Sequence, residues 1–392
     1  YIELIASENY ASPRVLQVQG SCLTNKYADG YPGNRTYSGC EFVDVAETLA
    51  CERACRLFGA DYANVQPYSG TQANAAALMA LLEPGDMLLG LASAHGGHIT
   101  HGDARSFAGR FYKSVQYRTD ADGLVDYAEL EVLARRHRPR LIVAGYSAYS
   151  RTLDWARFRA IADEVEAWLL IDMAHAAGLV AAGLCPNPVP FADVCTSTTH
   201  KTLRGPRGGL ILARNGNKLG ERLDAGVYPG VQGGPLMQVV AAKAVAFEEA
   251  LQPQFRRYQQ RVIDNAARLA AALQDRGFMI VTGGTDNHML LVDLSAQQMS
   301  AVDAAARLES AHIAVSSLRL PQDPPAGPPH GLRLGTPAVT TRGFDITQMD
   351  ELAELIDGVL RGDEAVTAHV LERVTALCRR FPVYGPGSTW GE

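Results

Sequence analysis

No apolar run in this chain reaches the roughly 18 residues that suggest a membrane-crossing helix. No block of basic residues stands out and the formal net charge is -6, so non-specific binding to nucleic acid is not favoured. Internal repeats and low-complexity linkers are missing, which argues against a repeat architecture. Nothing near the start reads as a signal peptide, although Tyr1 is not an initiator residue. Cysteine is scarce, odd in number and scattered: Cys22, Cys40, Cys51, Cys55, Cys185, Cys195 and Cys378. That set argues against a disulfide framework. Cys51 and Cys55 fall one turn apart on an expected helix and read as core packing, since no second pair completes a metal site. A reducing, cytoplasmic location is the simplest expectation. The sequon match Asn34-Arg35-Thr36 then reads as chance.

What is present suits a soluble folded protein. Hydrophobic residues make up 47% and charged residues 20% of 392 positions, enough for one large domain plus a smaller one. "VDVAETLACERACRLFG" has the period of an amphipathic helix stopped by Gly59, and "TQANAAALMALL" that of a second helix. The short apolar runs "MLLGL", "LIVAG", "WLLID" and "GGLILA" suit strands buried on both faces. Their alternation with helices predicts a parallel sheet covered by helices, an α/β fold. Two helical segments follow, "LMQVVAAKAVAFEEAL" and "RRYQQRVIDNAARLAAALQDRG", parted by Pro253. After about residue 251 the pattern changes to "FMIVTGG", "HMLLVDL", the helix "AVDAAARLES" and a last amphipathic helix near "QMDELAELIDGVL". The expected division is an N-terminal segment 1–25, a large domain 26–250 and a small α+β domain 251–392.

Ligands of open α/β sheets bind at the carboxyl ends of strands. Asp172 sits at such an end, after "WLLI", and Lys201 follows the run "DVCTSTTH". "PYSGTQAN" places Ser69, Gly70 and Thr71 where a helix begins, and backbone N–H groups at a helix start can hold a phosphate. Taken singly, Lys201 reads as a surface lysine, Asp172 as a helix cap and "SGT" as a turn. In "HGGHITH" the histidines His95, His98 and His101 stand in a glycine-bearing loop without fixed ligand geometry, so no metal is expected. Together, a phosphate corner, a histidine, an acid and a lysine in that order are what pyridoxal phosphate needs. The lysine forms a Schiff base and the acid keeps the ring nitrogen protonated.

These residues belong to longer stretches that resemble the serine hydroxymethyltransferase family of fold-type I pyridoxal-phosphate enzymes. "LTNKYADGYPG", "ANVQPYSGTQAN", "AHGGHITHG", "IDMAHAAGL", "TTHKTLRGPRGG", "PGVQGGP", "GGTDNH" and "LRLGTPA" carry the resemblance. It runs from "IELIASENY" to "FPVYGPG", nearly the whole chain. The resemblance implies an aspartate-aminotransferase-like fold: a large domain with a mainly parallel sheet, plus a smaller α+β domain. It implies that Lys201 carries the cofactor, flanked by Thr198 and His200, with Arg207 supporting the site. Asp172 would pair with the pyridine nitrogen and His98 would stack on the ring. Ser147 and His175 would lie near the ring hydroxyl, and Ser69, Gly70 and Thr71 would bind the phosphate. Arg333 and Ser7 would hold the amino-acid carboxylate. Tyr27, Asp29, Tyr37, Gly233 and Gly234 would enter the active site of a neighbouring subunit, which implies a homodimer, with a tetramer open.

The implied reaction is reversible cleavage of serine, or a related β-hydroxy or α-methyl amino acid, to glycine or its counterpart. The one-carbon unit goes to tetrahydrofolate. Departures from the family pattern gather on the folate side. The usual glutamate of "NKYAEGYPG" is Asp29, the first tyrosine of "RYYGG" is Thr36, a leucine before "AHGGH" is Ser93, and an asparagine-bearing stretch is "SSLRLP", Ser316 to Pro321. A shift of about 1 Å can cost on the order of a hundredfold in rate, and a lost aromatic platform removes roughly 1–3 kcal/mol of stacking. Two readings stay open: a compensated folate pocket, or a folate-independent aldolase or transaldolase on threonine-like substrates. A reading of another class is a non-catalytic regulatory paralogue, against which Lys201, Asp172 and Arg333 all stand.

Overall fold

The computed structural model describes residues 1–214, 216–324 and 326–385, so the final Pro386 and Gly387 of the matched "FPVYGPG" lie outside the described residues. Among the described residues, seven strands form one sheet. Their spatial order is Tyr62–Asn64, Gly209–Ala213, Val194–Thr198, Trp168–Asp172, Leu141–Gly145, Met87–Leu91 and Lys113–Tyr117. The four central apolar strands Val194–Thr198, Leu141–Gly145, Trp168–Asp172 and Met87–Leu91 run parallel to their neighbours within that block. Leu141–Gly145 and Val194–Thr198 are buried at every position, as strands covered by helices on both faces must be.

One strand departs from the expected direction. Gly209–Ala213, the "GGLILA" run, is antiparallel to both of its neighbours. Its physical reason lies in the connection. Only residues 199–208 separate it from Val194–Thr198, and they contain no helix to carry a parallel crossover. The chain therefore turns back on itself, and the turn carries Lys201.

The helices arise where the periodicity places them. Glu41–Phe58 ends at Gly59, whose φ of 67° is the left-handed cap conformation that glycine adopts without strain. Gly70–Leu81 starts at Ser69, whose side chain accepts from the Gln72 N–H. Pro253 opens the helix Pro253–Gln274, where its missing N–H costs nothing. A second four-stranded antiparallel sheet follows in the order Met279–Ile280, Met289–Asp293, Gly331–Gly335, Ser316–Leu318. The helix Ile346–Arg361, "QMDELAELIDGVL", is not the last. Glu364–Arg380 follows it behind the Asp363 cap and buries Val370, Val374 and Leu377 on one stripe.

Two apolar clusters account for most of the core. One packs on one face of the large sheet, whose other face carries a smaller third cluster, and the other joins the second sheet to the last helices. The helix Pro253–Gln274 spans both: Phe255, Tyr258 and Val262 pack in the first, Leu269 and Leu273 in the second. The start of the chain joins the second cluster through Ile2 and Leu4, with Ile2–Glu3 paired to Ile313–Ala314. No helix among the described residues is long and apolar enough to cross a membrane. All seven cysteines are free.

Candidate active site

The N-terminal segment reaches the turn that carries Lys201. Asn9 donates from Nδ2 to the Lys201 carbonyl at 3.0 Å and to the Tyr258 hydroxyl at 2.9 Å. Thr341 donates to the Asn9 side-chain oxygen at 2.7 Å. Ser7 and Glu8, just before Asn9, are thereby held beside Lys201, and both line a cavity of about 410 Å³. Ser69, Gly70, Thr71, His98, Ser147, Asp172, His175, Thr198, His200, Lys201, Arg207 and Arg333 line the same cavity. Strand ends, one helix start and one strand of the second sheet thus converge on one space, at the carboxyl edge of the parallel strands.

Asp172 is the most constrained member. Its Oδ2 accepts from Asn74 Nδ2 at 2.9 Å and lies 3.1 Å from His101 Nε2, while Oδ1 accepts from the Ala174 N–H at 3.0 Å. Burial alone would raise its pKa. The hydrogen bond from His101, the nearby His98 and the Asn74 donor outweigh burial and hold the carboxyl below the usual range. An ionised carboxylate in this cavity is what a protonated ring nitrogen would need.

Lys201 sees the opposite balance. Burial pushes its ammonium down to about 8, with Asp172 opposing and Arg333 and Arg207 assisting. A larger share of neutral amine near neutral pH suits a nucleophilic lysine. Burial also keeps His98 down at about 4 and His200 at about 3, so both are neutral rings. His175 is neutral for the same reason and stands 3.2 Å, Nδ1 to Nε2, from His288.

The candidate phosphate corner lies at Ser69. Its hydroxyl accepts from Gln72 N–H, which leaves its own proton free to donate. A Cβ on Gly70 would lie 2.7 Å from Thr198 Cγ2, so the helix start approaches the end of the Val194–Thr198 strand as only glycine permits. Arg333, from the strand Gly331–Gly335, crosses to the large sheet and donates to the Ser147 carbonyl at 2.7 Å. Its Nε is buried without a partner. A guanidinium oriented by one contact with another N–H unused is ready for an incoming carboxylate. The donor set therefore fits pyridoxal phosphate: anion donors, an ionised acid and a lysine with a lowered pKa line one cavity.

Sequence reasoning missed several neighbours. Glu8, Tyr146 and Ala174 also line the cavity. Asn74, His101 and His288 stand one contact behind it. His101 was visible only as one histidine of a loop with no expected geometry. In the structure, donor atoms of His98, His101 and Asp172 lie within 4.8 Å of one another. His101 is spent on Asp172 and His98 Nδ1 lies 2.6 Å from the Thr100 hydroxyl, so the group forms a hydrogen-bonded wall.

Tyr27, Asp29, Tyr37, Gly233 and Gly234 do not line this cavity. They gather elsewhere. Tyr27 and Tyr37 pack edge to face with ring centres 5.1 Å apart, and a Cβ on Gly234 would lie 2.8 Å from Asp29 Oδ1. Tyr68 donates from its hydroxyl to the Gly234 carbonyl at 2.5 Å, and the Thr36 N–H donates to the Asp29 carbonyl at 2.8 Å. Tyr27 and Tyr37 are exposed, as are Phe42 and Val45 on the adjoining helix. A second cavity of about 310 Å³ holds Ser93 together with Leu318, Arg319, Leu320 and Pro321. Ser93 donates to Asp103 there at 2.8 Å, and Arg105 grips the same carboxylate.

Residues 1–356 match the family model for serine hydroxymethyltransferase. The chain is 59% identical over 388 residues to the serine hydroxymethyltransferase of Methylococcus capsulatus. It is 61% identical over 388 residues to serine hydroxymethyltransferase 2 of Pseudomonas syringae pv. syringae, and 59% identical over 389 residues to the serine hydroxymethyltransferase of Nitrosococcus oceani. Each alignment covers 98% of this chain and 93% of the relative.

Proposed function

Because the chain belongs to the serine hydroxymethyltransferase family, we propose that its cavity binds pyridoxal phosphate and converts serine to glycine with transfer of the one-carbon unit to tetrahydrofolate. The observation that carries this reading is the convergence of Lys201, Asp172, Arg333 and the Ser69–Thr71 corner on one space.

In this reading Ser69, Gly70 and Thr71 hold the cofactor phosphate, Asp172 its ring nitrogen, His98 its face, and Ser147 and His175 the side of the ring hydroxyl. Lys201 is the point of covalent attachment. Once bound, the cofactor supplies an electron sink for the pair released when the Cα–Cβ bond breaks. The chain's own groups do the rest. Arg333 and Ser7 fix the substrate carboxylate, which fixes the direction of the bond to be broken. Thr198, His200 and Arg207 line the cavity beside Lys201, and its burial together with the charges of Arg333 and Arg207 favours the neutral amine. The hydroxyl proton of serine must leave to a base, and we assign that task to Asp29 with Tyr37 beside it.

Asp29 does not line the cavity of its own chain. We therefore propose a homodimer in which Tyr27, Asp29, Tyr37, Gly233 and Gly234 of one subunit complete the site of the other; the exposed Tyr27, Tyr37, Phe42 and Val45 support a covered face there. We also keep the division at residues 25 and 250, and a cytoplasmic location, as parts of this proposal; the free cysteines support the latter.

Folate-independent cleavage of threonine-type substrates is the second reading. Asp29, Thr36, Ser93 and the Ser316–Pro321 stretch favour it, because they alter the folate side and leave the first cavity intact. Glycine formation from serine and from threonine, each with and without tetrahydrofolate, separates the two.

A further inference from the structure

Lys243, on the helix Met237–Ala250, is 1% exposed and lies outside the cavity. A buried ammonium is costly unless its N–H groups are all taken. Here its Nζ donates to three carbonyls, of Val65 at 2.5 Å, Gly209 at 2.8 Å and Pro67 at 3.0 Å. An ammonium has three protons to give and a neutral amine two, so the triple contact favours the charged form even though burial pushes the group down to about 7.

The three carbonyls belong to two segments that face the cavity further along. Val65 and Pro67 lie in the link between the strand Tyr62–Asn64 and the helix Gly70–Leu81, and that link delivers Ser69, Gly70 and Thr71. Gly209 starts the strand that returns from the Lys201 turn, two residues past Arg207. The Gly209 N–H also donates to the Pro67 carbonyl at 2.8 Å. Gln232 holds the carbonyl in between, that of Gln66, and accepts from the Tyr68 N–H. The fit has no slack, since a Cβ on Gly208 would lie 2.5 Å from Lys243 Cε.

We propose that Lys243 is a positioning residue for the phosphate end of the site: its ammonium ties the 65–67 backbone to Gly209 and so sets the spacing between the Ser69–Thr71 corner and the Lys201–Arg207 wall. It touches neither cofactor nor substrate. The inference rests on reading the cavity as a pyridoxal-phosphate site.

The test titrates apo-protein with pyridoxal phosphate and, separately, with pyridoxal, which lacks the phosphate. Wild type, Lys243→Met and Lys243→Gln are compared, with the apo-protein melting midpoint recorded for each. Lys243→Met is expected to lose on the order of tenfold or more in affinity for pyridoxal phosphate and to keep its affinity for pyridoxal. Lys243→Gln, which keeps two donors, should fall between; if the methionine variant does not fold, the glutamine variant carries the comparison. Equal weakening of both ligands, or no change in either, overturns the proposal. If wild type itself does not distinguish the two ligands, the phosphate-corner reading has failed, and the proposal with it, before any variant is needed.

Discussion

His101 Nε2 lies 3.1 Å from Asp172 Oδ2, the oxygen that also accepts from Asn74. A histidine behind a buried carboxylate does two things. It fills a lone pair that would otherwise be unsatisfied, and it stabilises the negative charge on which the cofactor's ring nitrogen would depend. Because the carboxyl's pKa is depressed in the folded protein, its contribution to stability is fully present above the ordinary aspartate value of about 3.9 and is lost as pH falls through the folded value. His101→Phe removes the donor and keeps the bulk. Its acid-unfolding midpoint, followed by circular dichroism of the apo-protein, should move to higher pH than that of wild type. An unchanged midpoint would mean that His101 does not stabilise the charge.

Lys201 is expected to be the sole point of cofactor attachment. Borohydride reduction of the loaded protein followed by peptide mass mapping should place the label on Lys201. Lys201→Ala should fold normally and take up no label. The neutral amine grows as pH rises through about 8, so capture of pyridoxal phosphate by apo-protein should speed up across that value and level off above it. A label on another lysine contradicts the assignment.

Substitution of Arg333 is expected to separate substrate binding from cofactor binding. Its planar fork can meet a carboxylate with two parallel hydrogen bonds, a geometry that lysine lacks. Arg333→Lys should raise KM for serine by about tenfold or more, the scale of a charge-assisted hydrogen bond. Affinity for pyridoxal phosphate should stay near that of wild type. Equal loss of both would make Arg333 a structural strut between the two sheets.

The proposed sharing of sites between subunits is tested by complementation. Lys201→Ala and Asp29→Ala are each expected to be inactive alone. Mixed under conditions that exchange subunits, they should form heterodimers in which one of the two sites has both Lys201 and Asp29. Activity should then reappear, at roughly half the wild-type level per heterodimer. Mixing that restores nothing would place Asp29 outside its neighbour's site.

Much of this architecture was legible in the sequence because local pattern and buried position agree. "WLLID" and "LIVAG" have no polar face to hide, so they read as covered strands, and the Gly59 stop reads directly as a helix end. "GGLILA" has the same composition as its parallel neighbours, and only the short, helix-free return past Lys201 reverses it. The residues that touch the cavity lay in recognisable stretches. Those that act from one contact behind did not. Nothing in the spacing of "HGGHITH" says that His101 turns inward to Asp172, and nothing in the alanine-rich "VVAAKAVAF" says that Lys243 meets three carbonyls from two other segments. Such partners are set by how elements pack, and single-sequence periodicity carries no record of that.

Folate-dependent turnover is read from the rate of glycine formation from serine, measured over a range of tetrahydrofolate concentrations with threonine as the parallel substrate. Serine cleavage is expected to rise with tetrahydrofolate and saturate, well above the folate-free rate. Serine cleavage that ignores tetrahydrofolate, while threonine is cleaved readily without it, would contradict folate-dependent transfer and favour the folate-independent aldolase reading.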